Sequence, residues 1–221
     1  MSQALGEALA FGLGVALSPS AVIAMVFMLA APGGRLGAVV FAASWALSLG
    51  TVATLALLLA DGANARQGGE PAGWVVAVQI ALAALLLVTA VWQWRGRGER
   101  TAEPMPAWMR KVEGLTTRGA AGMAVFLAAG KPKNLLLTVG VAVTIAELGV
   151  SAAAQASGLA FFVLLGTLAP GVPLAASLIL RERSQAALSS VRSWMVRENR
   201  AIVAGLCLVF AAKLLASALS G

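Results

Sequence analysis

The sequence predicts an all-α membrane protein: six transmembrane helices forming two inverted three-helix repeats, with proline-broken first and fourth helices. Three observations carry that expectation. The composition is strongly apolar, positive charge alternates between the apolar runs, and prolines sit at matching depths in runs one and four. With 60% hydrophobic and 11% charged residues over 221 positions and a mean hydropathy of +0.89, the chain is too apolar to dissolve as an ordinary globular domain. Charge-free stretches cover 8–34, 36–60, 71–94 and 148–180, each long enough for the roughly 20 residues that cross a hydrocarbon core about 30 Å thick. Two more, 119–146 and 201–220, follow once Lys131, Lys133 and Lys213 are tolerated. Residues 1–221 then form one transmembrane domain, with a first repeat over 1–94, a cytoplasmic linker over 95–118 and a second repeat over 119–221.

The opening MSQALGEALAFGLG carries Glu7 but no lysine or arginine, so it reads as the first span and not as a cleavable signal peptide. The single cysteine, Cys207, excludes an internal disulfide and a CxxC redox pair. With no histidine and nine acidic residues, the material for a zinc or haem site is missing. No metal and no cofactor are expected.

Charge placement sets the topology. The odd-numbered loops hold twelve lysines and arginines, among them Arg35, Arg95, Lys111 and Arg200, whereas the even-numbered loops and the termini hold one, Arg66. The positive-inside rule puts the odd loops in the cytoplasm and both termini outside, in a multi-pass plasma (inner) membrane protein. The net charge of +7 is thereby a topology signal, and nucleic acid is not an expected partner. Trp108, Val112 and Leu115, and separately Leu188, Val191 and Met195 beside Trp194, recur at helical spacing. Each set suits a short interfacial helix or a solvated loop. Trp74, Trp92 and Trp94 fit the aromatic belts of span three.

The breaks are GVALSPSAVIAM in span one, with Ser18, Pro19 and Ser20, and AAGKPKNLLL in span four, with Lys131, Pro132 and Lys133. At about 1.5 Å per residue both lie roughly 20 Å from the helix starts, near the bilayer midplane. A proline there frees backbone groups, which are tolerated only against protein or a water-filled cavity. Breaks in the first and fourth of six spans divide the chain into two units of three, and an odd repeat must invert. Paired broken helices of this kind point to a transporter's binding site; simple packing kinks are the alternative. LAPGVPLAA, with Pro170 and Pro173, is a third expected bend or gate.

A lysine at bilayer depth costs about 2.5 to 3.5 kcal/mol. Lys213 can snorkel to the outer end of span six, but Lys131 and Lys133 have no carboxylate nearby in sequence. Their counter-charge is expected to be an anionic substrate. Asn134 or Lys133 would start the second half-helix and direct its free amides into the break. Together with Ser18 and Ser20 this would suit a phosphate, sulfate or carboxylate. Ser44, Ser48 and Thr51 share a helix face and either line the same cavity or serve as packing contacts.

At these residues the chain resembles the LysE superfamily of six-span exporters. GVALSPSAVIAMVFML is similar to its first-helix Ser-Pro signature, and GKPKNLLL to its Asn-Pro-Lys signature, with Gly130 at the usual Asn position. Within it the likeness is to the GAP family of peptidoglycolipid-addressing, or sulfolipid-addressing, proteins, where PKNLLL follows the break. That resemblance implies export of a glycolipid toward the cell envelope, typically in actinobacteria, with Ser18, Pro19, Pro132, Lys133 and Asn134 at the motif positions. Twelve arginines against four lysines agree with a high-GC genome.

The expected function is therefore an exporter or flippase of an anionic lipid or glycolipid, its headgroup held by Lys131, Lys133, Asn134, Ser18 and Ser20. Pro19, Pro132, Pro170 and Pro173 would serve the breaks and gating. A LysE-type exporter of amino acids or other small solutes is the alternative, disfavoured by Ser20, since amino-acid exporters typically have Gly-Pro in the first-helix motif. A membrane scaffold for lipid export is a third reading. Partners to consider are the lipid, a homodimer and lipid-export machinery. No enzymatic activity is expected, because a cation facing an anion needs no further arrangement, whereas serine chemistry would need a placed base.

Overall fold

The computed structural model describes residues 2–31, 34–67, 70–95, 116–180 and 184–220, with the backbone alone for 30, 66–67, 70, 180, 184–200 and 220. The first span is a bent pair, α1 (Ser2–Ala16) and α2 (Pro19–Ala30), followed by the unbroken α3 (Gly34–Gly62). A two-residue antiparallel ribbon, β1 (Arg66–Gln67) with β2 (Glu70–Pro71), joins α3 to α4 (Gly73–Arg95). Trp74 Nε1 closes this connection by donating to the Ala63 carbonyl at 2.9 Å.

The second half begins with α5 (Thr117–Val125), capped by Thr116, whose hydroxyl accepts from the Gly119 amide at 3.2 Å. A π-helical turn, Phe126–Gly130, leads to α6 (Pro132–Glu147), and α7 (Ala152–Gly166), α8 (Leu168–Leu180) and α9 (Ser184–Ser220) follow. Among the described residues three helices are long and apolar enough to cross a membrane: α3, α4 and the Ala201–Leu219 part of α9. Three bent pairs each pass as one crossing, at 55° between α1 and α2, 64° between α5 and α6, and 54° between α7 and α8, giving up to six spans.

Span one packs on span five through α1 with α7 and α2 with α8, while α3 packs on both α5 and α6. Between these, α4 lies along α9, α4 also meets α6, and α9 meets α2. Close approach depends on small residues, as it does between helices in lipid. A Cβ at Gly14 would fall 2.5 Å from the Phe210 ring and 3.0 Å from Leu137, so no larger residue fits between α1, α6 and α9.

Three expectations are corrected. The third bend falls at Thr167, upstream of Pro170 and Pro173, with Pro170 in the first turn of α8 and Pro173 inside it. A proline clashes with the carbonyl four residues back and cannot donate to it, which strands Gly166 O. The fully buried Trp45 takes over, its Nε1 donating to that oxygen at 3.1 Å. Second, Lys213 does not snorkel alone: its Nζ pairs with Glu7 of α1 at 2.7 and 2.9 Å and lies 5.6 Å from the Phe11 ring centre. Third, the helix expected over 184–200 is continuous with span six, because no proline or glycine interrupts 184–204. The other expected interfacial helix, at Trp108, Val112 and Leu115, lies outside the described residues.

Trp45→Phe keeps the ring but leaves the buried Gly166 carbonyl without a donor, an expected loss of about 1–3 kcal/mol. Thermal unfolding in detergent would read it. The loss should fall by more than half in a Pro170→Ala background, where the backbone regains an N–H four residues on.

Candidate functional site

The two breaks are built alike. A residue preceding proline is pushed out of the helical region, and Ser18 (φ −111°, ψ 92°) and Lys131 (φ −85°, ψ 127°) are both extended. Pro19 and Pro132 then open α2 and α6 at a first-turn position, where the missing N–H costs nothing. The second half-helix of span four thus starts at Pro132, before the expected Lys133 or Asn134. Among the described residues neither α2 nor α6 has a side-chain cap, so the positive ends of both helices face the break uncapped.

The carbonyl ends are treated differently. When α1 stops at Ala16, its last carbonyls lose their helical partners. Lys133, 7% exposed, reaches across from α6 and its Nζ donates to Gly14 O at 2.9 Å and Leu17 O at 3.1 Å. A cation at the negative end of a helix dipole, held by two carbonyls, offsets much of the cost of its burial. In span four the π-helical turn leaves Leu127 O to the fully buried Asn134, whose Nδ2 donates to it at 2.9 Å. That same Nδ2 lies 3.5 Å from Ser18 Oγ, which is also 3.5 Å from Ser20 Oγ. Two residues of span four therefore stitch the breaks of both spans together. Asn134 Oδ1 is buried and finds no hydrogen-bond partner among the described residues.

A cavity of about 270 Å³ lies where the breaks meet, lined by Ser18, Pro19, Ser20, Lys131, Pro132, Lys133 and Asn134. The structure thus brings together the five expected binding residues and two of the expected break prolines. Pro170 and Pro173 are not among its lining residues, nor are Ser44, Ser48 and Thr51; Thr51 instead borders a shallow groove of about 570 Å³ with Thr54 and Val163.

Sequence reasoning missed Thr89, Trp92 and Gln93 of α4 and Val203 of α9, which complete the wall. Gln93, an amide at the end of an apolar span, was the one available signal; Trp92 reads from sequence as a belt residue. Trp92 is 74% exposed, so this wall of the cavity reaches the surface of the bundle. It lies at the end of α4 that carries Arg95, close to where α9 enters its apolar stretch.

Lys133→Met should strand Gly14 O and Leu17 O, each at about 1–3 kcal/mol, and lower the melting temperature in detergent clearly more than Lys131→Met does. Equal effects of the two substitutions would mean that the carbonyl contacts contribute little to stability.

The chain matches no curated protein and no solved structure. Residues 8–220 match the family described as Sap, sulfolipid-1-addressing protein, in keeping with the resemblance carried by the SPS and GKPKNLLL motifs. Matched over nearly its whole length and carrying both broken-helix motifs, the chain belongs to the sulfolipid-1-addressing protein family.

Proposed function

We propose that this protein moves an anionic lipid or glycolipid from the inner to the outer leaflet of the plasma membrane, holding its headgroup between the paired breaks. The observation that carries this reading is the cavity itself. It joins two uncapped helix N-termini, the Ser18 and Ser20 hydroxyls and Lys131, and it opens sideways past Trp92. At about 270 Å³ it is slightly smaller than a typical drug-sized pocket, so it suits a headgroup while acyl chains remain in the bilayer. The family's description as sulfolipid-addressing supports an anionic cargo lipid.

Lys133 has a third N–H available beyond its two carbonyl contacts, and Lys131 stands half-buried on the other side of Pro132. In this reading Lys133 holds the break in shape while offering one donor, and Lys131 supplies the charge that discriminates anionic from neutral headgroups. No bond in the cargo is broken: Ser18 Oγ has hydroxyl and amide neighbours, and the Lys133 ammonium is turned to backbone carbonyls.

The two inverted repeats belong to the same proposal. Exchanging spans one, two and three with four, five and six maps the packing onto itself. The contact of span one with five becomes that of four with two, and α4 on α6 becomes α9 on α2. Span two stays straight where span five bends, so the exchange is approximate. By the arginine distribution the cavity mouth faces the cytoplasm with both termini outside, as an exporter loading from the inner leaflet requires.

Lipids co-purifying with gently extracted protein test the reading by mass spectrometry. Wild type should carry an anionic lipid enriched over the bulk membrane, and Lys131→Ala should lower it about tenfold, the loss of one charge-assisted contact. Bulk lipid alone on both proteins would favour export of a small solute.

A further inference from the structure

At the end of the bundle away from the cavity, four spans meet in a polar cluster that lipid loading does not use. Glu147, the last residue of α6, accepts from Gln79 Nε2 of α4 through Oε2 and from Ser217 Oγ of α9 through Oε1, the latter at 3.0 Å. One turn before Ser217, Lys213 pairs with Glu7 of α1. Gln79 is 1% exposed, and its Nε2 lies within 3.4 Å of Ser217 Oγ as well, so its carboxamide sits inside the cluster. Its Oε1 nevertheless finds no hydrogen-bond partner among the described residues. Thr144, one turn before Glu147 on the same helix, has a buried hydroxyl in the same condition.

Among the described residues the cluster is short by one positive charge and one hydrogen. Two carboxylates, Glu7 and Glu147, stand against one ammonium, Lys213, and a buried acceptor is left without a donor. Such groups are costly in a bilayer unless they are paired. Among the described residues, the charged groups facing Glu147 from neighbouring helices are Glu7 and Lys213. From α3, Asp61 bonds to Gln155 of α7 instead, and α4 supplies only the neutral Gln79.

We infer that Glu147 is a proton-binding site. The carboxylate takes up one proton to become a carboxylic acid, and no other bond forms or breaks. The cluster then becomes neutral, and the new O–H can donate to Gln79 Oε1 once the carboxamide turns over. Because Glu147 ends the half-helix that Pro132 begins, proton and headgroup would act on opposite ends of one rigid element. Only that link to transport rests on the cargo reading; the site stands on its own geometry.

Infrared difference spectra of the full chain in nanodiscs, recorded between alkaline and acidic buffer, test it without any cargo. A carboxylic-acid carbonyl band should grow on acidification, disappear in Glu147→Gln, persist in Glu7→Gln and shift in Glu147→Asp. No such band in wild type, or an unchanged band in folded Glu147→Gln, would overturn the inference. A change driven by sodium at constant pH would overturn it too, in favour of a metal-cation site.

Discussion

Everything around the two breaks depends on how a broken helix keeps its backbone satisfied without water. A continuous span meets that requirement internally, whereas a span cut by proline leaves donors and acceptors bare where no water reaches them. Lys133 resolves one half of the problem by placing its ammonium on Gly14 O and Leu17 O of span one. Asn134 resolves another part on Leu127 O of its own span. Among the described residues no side chain caps the positive ends of α2 and α6, and it is these ends that the proposed anionic headgroup would meet.

The two ends of the bundle contrast in a way that gives the fold a direction. Around the breaks, the Arg95 end of α4 and the start of the apolar part of α9 there is open volume of about 270 Å³. Toward the other end, Glu7 with Lys213, and Glu147 with Gln79 and Ser217, tie spans one, three, four and six together. Open volume on one side and polar cross-links on the other suit the proposed transport, in which one side opens while the other is held shut. Gly14, which has no room for a side chain against Phe210, keeps α1 close to both regions.

Much of this was legible in the sequence because the bilayer imposes simple rules. The apolar runs located the crossing helices and the bent pairs, and Pro19 and Pro132 located two of the breaks and, with their neighbours, seven residues that line the cavity. What stayed hidden depends on tertiary geometry. The Lys133 partners are backbone carbonyls more than a hundred positions away, which carry no side-chain signature. Trp92 looks like any interfacial tryptophan until the wall it belongs to is known. Pro170 bends span five at Thr167 because its effect reaches four residues back, and Lys213 finds Glu7 only through the packing of span six on span one.

Where a lipid headgroup rests is measured most directly by photo-crosslinking. An anionic glycolipid carrying a photoreactive group in its headgroup would be supplied in a bilayer and the adducts mapped by peptide mass spectrometry. Adducts on Trp92, on the Ser18 to Ser20 segment or on Lys131 are expected, with competition by unlabelled lipid. Adducts confined to outward-facing residues such as Leu58 and Ile179, without competition, would contradict a headgroup site at the paired breaks.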